Sequence, residues 1–295
     1  MSEPLWALVG ATGVGKTAVA LALASELPIE IVSLDSVQVY RGLDIGSAKP
    51  TLVERARLPH HLVDIVDPDA RFSAADWLER CEPAIADIRA RGKRPLVVGG
   101  TGLYLRLLST GLAKLPAADD QLRASLLRQE REQPGMLHAR LREIDPESAA
   151  RLAPRDLVRL VRAVEVFELS GASLSAQLDA HAKTRDDREL RVVYLDPPAE
   201  TLQAALATRT EAMIRAGLVE EARALRVRWG EVRPLAALGY KEALELVDGK
   251  FHPSELGQRI VVASRQFARR QRTWFGKAPG VVRVEDHVAA RAALR

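Results

Sequence analysis

Residues 10–17 are GATGVGKT, which has the G-x-x-x-x-G-K-T spacing of a phosphate-binding loop. The apolar run Leu5–Val9 before it predicts a buried strand, and the alanine-rich stretch Thr17–Leu27 after it predicts a helix. In this order, backbone N–H groups and the positive end of the helix dipole surround an anion. Lys16 adds a charge and Thr17 a hydroxyl that suits Mg²⁺. The loop predicts a polyphosphate site, but it leaves open whether the phosphate is transferred, hydrolysed or expelled.

Two polar side chains follow other predicted strands. Asp35 comes directly after Ile29–Leu34, and Thr101 follows Pro95–Val98 and two glycines. Because ligands bind at the carboxyl ends of parallel strands, we expect both side chains beside the phosphate loop. A carboxylate there can bind Mg²⁺, accept a proton from an acceptor substrate, or cap the next helix. Thr101 can contact a ligand or cap a helix that starts near Leu103.

The chain is strongly basic near its carboxyl end. No acidic residue occurs from Leu256 to Ala278. Basic and aromatic residues alternate there, namely Arg259, Arg265, Arg269, Arg270, Arg272 and Lys277 with Phe267, Trp274 and Phe275. Guanidinium groups bind phosphates and aromatic rings stack on bases, so this composition is typical of a nucleic-acid surface. It fits equally well a solvated helix face whose rings lie in the core.

A second basic set occurs in the middle of the chain. Arg155, Arg159 and Arg162 have the i, i+4 and i, i+7 spacing that places side chains on one face of a helix. Asp156 and Glu165 lie among them and weaken the positive field. Taken alone, this set is therefore a weak indication of a surface that binds a polyanion.

The elements around these motifs predict the fold class. Two further apolar runs, Arg191–Leu195 and Val281–Val284, are separated from the others by helical stretches. This alternation predicts an α/β fold, a P-loop-type parallel sheet with helices on both faces. The middle stretch predicts helices and no strand. We therefore divide the chain into a first part of the core (1–114), an all-helical insertion (115–187), and a return to the core that ends in basic helices (188–295).

Composition excludes several classes of protein. The chain has 295 residues, of which 47% are hydrophobic, and a net charge of +4 that favours an anionic partner. Cys81 is the only cysteine, which excludes an internal disulfide and a cysteine-rich zinc site. His60 and His61 are adjacent, lack metal-ligand spacing and are interpreted as structural. No apolar segment resembles a leader or a membrane span, so we expect a cytoplasmic protein without membrane contact.

Several longer stretches match one known family in order. They are GATGVGKT (10–17), SLDSVQVYRGLDIGSAKP (33–50), PHHLVDIVDPD (59–69), FSAADW (72–77), VVGGTGLYLRLL (97–108), RLVRAVEV (159–166), ALGYKE (237–242) and RQFARRQRTWF (265–275). In these motifs the chain resembles the tRNA dimethylallyltransferases, also called tRNA isopentenylpyrophosphate transferases, of the bacterial type. The matches extend over nearly the whole chain, which makes the resemblance far more specific than the phosphate loop alone.

The resemblance implies a reaction and its partners. The loop would bind the diphosphate of dimethylallyl diphosphate, and N6 of adenosine 37, in the tRNA anticodon stem-loop, would displace pyrophosphate. Asp35 would accept the amine proton, Thr101 would orient the base or the donor, and Thr17 would bind Mg²⁺. Departure of the leaving group would be assisted by a site that stabilises its charge. We expect a monomer whose 115–187 insertion contacts tRNA.

Site residues are carried over from the matching motifs. The diphosphate-binding set is Gly10, Ala11, Thr12, Gly13, Val14, Gly15, Lys16, Thr17 and Arg209. The tRNA-binding set is Asp35, Ser36, Val37, Gln38, Thr101, Arg123, Arg159, Leu160, Val161, Arg162 and Ala163, together with Arg269, Arg270 and Arg272 of the basic stretch. The chain departs from the family at Ala205 and Gly276, where the family often has arginine. One phosphate contact is therefore missing or supplied elsewhere.

Other kinds of protein share part of this pattern. A P-loop kinase would bind ATP in the same loop and hold its acceptor with Asp35, but it leaves the basic stretch unexplained. A related transferase that prenylates free adenine nucleotides does not need the arginine-rich insertion. An RNA-binding NTPase that modifies nothing needs no acid beside an acceptor pocket. The products formed from dimethylallyl diphosphate and from ATP distinguish these alternatives.

Overall fold

The computed structural model describes residues 4–185, 188–278 and 280–295. The chain divides into two compact units. The first comprises residues 1–109 together with 188–295, and the second comprises residues 110–187. The second unit thus begins at residue 110 rather than at the predicted residue 115. The last two residues of the predicted insertion, 186 and 187, lie outside the described residues.

A parallel sheet of six strands forms the centre of the first unit in the described chain. Its strands are β1 (Leu5–Gly10), β2 (Ile29–Leu34), β3 (His60–His61), β4 (Arg94–Gly99), β5 (Leu190–Leu195) and β6 (Val281–Val284). The spatial order is β3-β2-β4-β1-β5-β6. The five predicted strands lie within one residue of their predicted ends. The sequence did not predict β3, because two residues are too few to show a hydrophobic period.

Helices cover both faces of this sheet, as predicted. Along β1, Leu5, Ala7 and Val9 face one apolar core, whereas Trp6 and Leu8 face another, because successive side chains of a strand point to opposite faces. The helices are α1 (Lys16–Ala24), α2 (Leu52–Arg57), α3 (Ala74–Ala90), α4 (Gly102–Thr110), α10 (Ala199–Arg215), α11 (Leu218–Trp229), α12 (Tyr240–Val247), α13 (Leu256–Phe275) and α14 (His287–Ala293), with 3₁₀ turns at Arg233–Ala236 and Pro253–Glu255.

The second unit contains helices joined by loops, and no strand, within its described residues, 110–185. Its helices are α5 (Asp120–Glu132), α6 (Met136–Ile144), α7 (Pro146–Arg151), α8 (Leu157–Ser170) and α9 (Leu174–Thr184). Their apolar sides form a separate core that includes Leu141 and Leu160. Asp145 accepts a hydrogen bond from Ser148 N at 3.0 Å, and Asp156 caps α8 in the same way. Each carboxylate therefore caps the helix that begins at the next residue.

Residues that we interpreted as structural have structural partners. Cys81 is fully buried on α3, and burial raises the pKa of its thiol to about 12. The ring of His60 hydrogen-bonds to Leu58 O at 2.6 Å, and His61 Nε2 lies 2.7 Å from the buried carboxylate of Glu30. Cys81 is thus part of the apolar core, and His60 and His61 form hydrogen bonds within the fold. None of the described helices is long and apolar enough to cross a membrane.

Candidate active site

The phosphate loop joins β1 to α1, as predicted. Gly15 has a φ of +85°, a left-handed conformation that glycine adopts without strain, and α1 begins at the next residue. A Cβ at Gly15 would also lie 2.5 Å from His287 Nε2. That nitrogen donates a hydrogen bond to Val14 O at 3.0 Å, since a carbonyl oxygen can only accept. The loop thus needs glycine here both for its backbone and for its packing against α14.

Lys16 supplies the cation of this loop. Its Nζ donates hydrogen bonds to Gly10 O at 3.0 Å and to Ala11 O at 2.8 Å, which holds the ammonium group over the loop. Desolvation and the neighbouring Arg209 lower the pKa of Lys16 from 10.5 to about 8, whereas Asp35 opposes this shift. An anion that binds between Lys16 and Arg209 would offset this repulsion and favour the charged form of Lys16. The electrostatics of the loop therefore fits a diphosphate.

Asp35 lies at the carboxyl end of β2 and uses one carboxylate oxygen structurally. Its Oδ1 accepts hydrogen bonds from Val37 N at 2.8 Å and from Gln38 N at 3.2 Å. The capping alternative is therefore correct in part, although Asp35 caps a turn and no helix follows it. Within the described residues, Oδ2 accepts no hydrogen bond. This oxygen remains available to a ligand in the cleft that Asp35 lines.

Thr101 lies just beyond β4, the strand next to β2. Its backbone N–H and that of Gly100 donate to Leu34 O at 3.1 and 3.2 Å, which fixes this loop to the end of β2. The carbonyl of Thr101 accepts from Tyr104 N at 3.0 Å and so begins α4. The helix start predicted here is therefore made by the Thr101 backbone. Its side chain lines the same cleft as Asp35.

One cleft of about 960 Å³ brings these groups together at the carboxyl edge of the sheet. Predicted residues that line it are Thr12, Gly13, Gly15, Lys16, Thr17, Asp35, Ser36, Val37, Gln38, Thr101, Arg209 and Arg270. Desolvation lowers the pKa of Arg209, and Asp35 raises it, so the two charges interact. Ala11 and Val14 are buried in the loop, where their contribution is backbone geometry. Apart from Gly10, Ala11 and Val14, the predicted catalytic and diphosphate groups therefore share one cavity.

The cleft also contains residues that the sequence did not assign to it. They include Tyr40, Phe72, Tyr104, Arg233, Phe267 and Gln271. Tyr104 stacks on Trp77 with ring centroids 4.6 Å apart, and burial raises its pKa. Arg233 has an exposed side chain and adds a cation to the wall of the cleft. This chain has alanine at position 205, where the family often has arginine. All of them except Arg233 lie within the stretches that match the family, but the sequence pattern does not indicate which residues of those stretches face the cleft.

The arginines of the predicted basic surface on α13 differ in their surroundings. Arg269 and Arg270 are exposed, and the guanidinium of Arg270 lies 5.6 Å from the centre of the Phe267 ring. Arg272, in contrast, donates to the buried Asp196 at 2.7 Å. Arg272 therefore has a partner within the protein, because a buried carboxylate requires a compensating charge, and its predicted contact with tRNA stays a prediction.

The three aromatic rings of α13 also differ in exposure. Phe275 is buried and lies 5.7 Å from the Tyr194 ring, measured between centroids. Trp274 packs against Phe275 at 5.0 Å and against Gly102 at the start of α4. Phe267 is 37% exposed and lines the cleft. The alternative interpretation, in which the aromatic rings pack in the core, thus holds for Phe275 and for the partly buried Trp274. Phe267 remains accessible to a ligand.

Within the second unit, the predicted tRNA residues fall into two groups. Leu160, Val161 and Ala163 are buried in its apolar core, so their side chains cannot reach a ligand. The arginines lie nearer the surface. Arg123 and Arg162 both bind the buried carboxylate of Glu165, at 2.8 and 2.6 Å, and Arg159 is 72% exposed beside Asp156. Of this set, Arg159 has the side chain most available to a polyanion.

Comparison with family models identifies close relatives. The model described as IPP transferase matches residues 38–278, and the model described as isopentenyl transferase matches residues 3–60. The chain is 46% identical over 288 residues to the tRNA dimethylallyltransferase of Cupriavidus necator, covering 94% of this chain and 89% of that protein. It is 47% identical to the tRNA dimethylallyltransferase of Anaeromyxobacter dehalogenans, covering 93% of this chain and 92% of that protein.

Solved structures give the same picture. The tRNA isopentenylpyrophosphate transferase of Bacillus halodurans is 34% identical with a TM-score of 0.71, and the alignment covers 99% of this chain and 97% of that one. A eukaryotic dimethylallyltransferase acting on tRNA is 27% identical with a TM-score of 0.82, over 97% of this chain and 75% of that one. The similarity therefore extends over both the sequence and the three-dimensional arrangement.

Proposed function

This chain belongs to the IPP transferase family, and from that premise we propose that it transfers a dimethylallyl group from dimethylallyl diphosphate to N6 of adenosine 37 in tRNA, with release of pyrophosphate. The relatives compared above are tRNA dimethylallyltransferases, and their alignments cover more than nine tenths of this chain. One observation carries the residue assignments: the phosphate loop, Asp35, Thr101 and Arg209 line one cleft. The loop there is a site for a leaving group, not for a transferred phosphate.

The donor end of the site is cationic. Lys16 and Arg209 interact electrostatically, each also interacts with Asp35, and the loop ends at the N-terminus of α1, whose N-cap is Gly15. As the bond from the allylic carbon to the diphosphate oxygen breaks, negative charge grows on the diphosphate. Preorganised cations and dipoles stabilise that charge without reorganising. These groups therefore lower the barrier for departure of pyrophosphate.

The acceptor end contains the proposed base. An exocyclic adenine amine is a poor nucleophile, because its lone pair is delocalised into the ring. Asp35 Oδ1 is fixed by two backbone N–H groups, which leaves Oδ2 to accept the amine proton as the new C–N bond forms. Thr101, anchored to the end of β2, presents a hydroxyl beside it. We assign Asp35 as general base and Thr101 as the residue that orients base or donor.

Mg²⁺ fits the donor end. The described residues contain no cluster of three or more His, Cys, Asp or Glu that could hold a metal ion. Mg²⁺ commonly binds one or two protein oxygens together with substrate phosphates, and the Thr17 hydroxyl lines the cleft beside Lys16. Thr17 would hold the ion, which when bound supplies positive charge to the leaving group.

The tRNA assignment rests on the rim of the cleft. Arg233 and Arg270 line it with exposed side chains, and Phe267 offers an accessible ring. A base within the anticodon stem-loop must leave its stack to reach Asp35, and such flipped bases are held by stacking and by phosphate contacts on either side. We propose Arg269, Arg270 and Phe267 as contacts of the first unit, and Arg159 as a contact of the helical unit. A monomeric state and a cytoplasmic location stay predictions.

A product assay tests this function. Purified protein with Mg²⁺ is given labelled dimethylallyl diphosphate with tRNA, with tRNA that carries guanosine at position 37, and with AMP, and ATP is offered separately. We expect label in adenosine 37 alone, with one pyrophosphate released per transfer. Prenylated AMP with unmodified tRNA would indicate the nucleotide prenyltransferase. Phosphorylation of a small acceptor from ATP, with tRNA unmodified, would indicate the kinase.

A further inference from the structure

Gln271 on α13 contacts two loops that lie far apart in the sequence. Its Oε1 accepts a hydrogen bond from Thr12 N of the phosphate loop at 2.9 Å, and its Nε2 donates one to Gly100 O at 2.9 Å. The residue is 7% exposed and borders the active-site cleft. A single side chain therefore bridges the loop that binds the diphosphate and the loop that presents Thr101.

The two partners fix the orientation of this amide. Thr12 N–H can only donate and Gly100 O can only accept, so the side-chain oxygen must face the first and the nitrogen the second. A planar amide is the neutral side chain that offers a donor and an acceptor at this length. Methionine has a similar length and makes neither bond. An ionised glutamate would accept from Thr12 N but would oppose Gly100 O with a second acceptor.

The approach between α13 and the Thr101 loop is close. A Cβ at Gly100 would lie 2.3 Å from Gln271 Nε2, so any other residue there would displace the amide. Trp274, three residues further along α13, packs against Gly102. Residues three apart share one side of a helix. One side of α13 thus contacts Gly100 and Gly102, the two residues that flank Thr101 in the chain. Arg269 and Arg270 are exposed on the same helix.

We propose that Gln271 is a positioning residue that fixes the spacing between the diphosphate loop and the Thr101 loop, and so aligns donor and acceptor for transfer. The proposal rests on the function proposed above. The side chain bonds only to backbone groups, so its loss leaves the charges of the site in place. A displacement of about 1 Å between reacting groups can cost about 100-fold in rate. Loss of Gln271 should therefore reduce kcat more than it reduces binding.

The first test compares Gln271→Met with Gln266→Met. Gln266 is exposed on the same helix, where it lines a surface pocket outside the active-site cleft, and is the matched control. For Gln271→Met we expect kcat at saturating tRNA and donor to fall about 10–100-fold, with both dissociation constants within about threefold of the parent. The control should stay within about twofold in kcat. Each rate is divided by the folded fraction from circular dichroism.

The second test uses Gln271→Glu and a pH profile. When protonated, the new carboxyl group can donate to Gly100 O again, and burial beside an acceptor raises the pKa of a carboxyl group. The ratio of variant to parental kcat should therefore rise about tenfold per pH unit as pH falls towards that pKa. A role in folding alone would not give this recovery. The variant also provides a readout if methionine prevents folding.

The outcomes separate cleanly. The proposal is overturned if both Gln271 variants keep kcat within about twofold of the parent per folded molecule, or if Gln271→Glu shows a ratio independent of pH while its kcat loss equals the loss in folded fraction. If the parental enzyme transfers no prenyl group, the proposed function itself fails. The parent and the variants are assayed together, so these two failures are distinguished.

Discussion

Arg272 on α13 donates from Nε to Oδ1 of Asp196 at 2.7 Å, just after β5 ends. Arg283 on β6 binds the other oxygen, also at 2.7 Å, and Asp196 is only 5% exposed. This ion pair holds the basic helix against the sheet edge that carries the site. Arg272 is therefore a structural residue, and a variant that removes it together with Arg269 and Arg270 would confuse stability with tRNA binding.

Replacement of Arg272 is expected to lower stability. In Arg272→Gln, the cation that stays paired with the buried Asp196 among the described residues is Arg283, whose side chain is 60% exposed. We expect the free energy of unfolding to fall by about 1–3 kcal/mol, the usual cost of a buried charge that loses a hydrogen-bonded partner. Urea denaturation measures it. Arg269→Gln, on the same helix but exposed, should change it by less than about 0.5 kcal/mol. Equal effects would contradict a structural role.

Salt dependence tests the outer face of α13. Arg265, Arg269 and Arg270 are exposed, so replacing all three by glutamine leaves the Asp196 ion pair intact. The slope of log K for tRNA against log salt should flatten by about 0.7–0.9 for each phosphate that the variant no longer neutralises. Filter binding over a salt series measures the slope. An unchanged slope in the folded variant would show that these arginines form only a solvated face.

Substitution of Asp35 tests the proposed base. In Asp35→Asn, the remaining oxygen can still accept from Val37 N and Gln38 N, so the turn should survive, but the side chain can no longer accept a proton. We expect kcat to fall about 10²–10⁴-fold, the usual contribution of a general base. Affinities for tRNA and donor should stay within about tenfold, or about 1.4 kcal/mol. Single-turnover rates with saturating substrates provide the measurement.

Two results would remove Asp35 from the role of base. Turnover near that of the parent would mean that the carboxylate serves the turn alone, which asparagine can also do. Recovery of most of the rate by added Mg²⁺ would assign Asp35 to the metal instead. Asp35→Ala is the control for the turn, because it loses the hydrogen bonds to Val37 N and Gln38 N as well. Either result would direct attention to Thr101.

Donor binding should depend on pH through Lys16. Its pKa of about 8 in the free protein means that the ammonium group loses its proton above that pH, whereas a bound diphosphate raises the pKa. Donor binding then takes up a proton, and the dissociation constant should rise by up to about tenfold per pH unit above pH 8. Titration calorimetry in two buffers of different ionisation enthalpy measures both quantities.

The control for this pH effect is Lys16→Arg. Arginine keeps its charge to well above pH 12, so the dissociation constant of the variant should be flat between about pH 8 and 9.5. A parental curve that is equally flat would contradict the lowered pKa.

The lowered pKa of Lys16 also affects stability. Between about pH 8 and 10.5 the unfolded chain binds more protons at this residue than the folded chain, so Lys16 makes the free energy of unfolding rise with pH.

Much of the fold follows from local sequence pattern. The buried strands are short apolar runs bounded by polar residues, and their ends can be predicted within one residue because the pattern itself ends there. The cap residues Asp145 and Asp156 mark helix starts for the same local reason. β3 could not be predicted, because its two residues gain their strand conformation only by pairing with Ile31 and Val32 of β2.

The site divides in the same way. Motif residues such as Lys16, Asp35 and Thr101 could be predicted, because Lys16 ends the loop after β1, Asp35 and Thr101 lie within two residues of the ends of β2 and β4, and parallel strands end at one edge of the sheet. Tertiary structure decided which arginine of α13 forms an ion pair with a buried residue, since the partner of Arg272 is Asp196, 76 positions earlier in the chain. It also decided the role of Gln271, whose hydrogen bonds to Thr12 and Gly100 span 259 and 171 positions. Contacts at such distances carry no periodicity, and only folding reveals them.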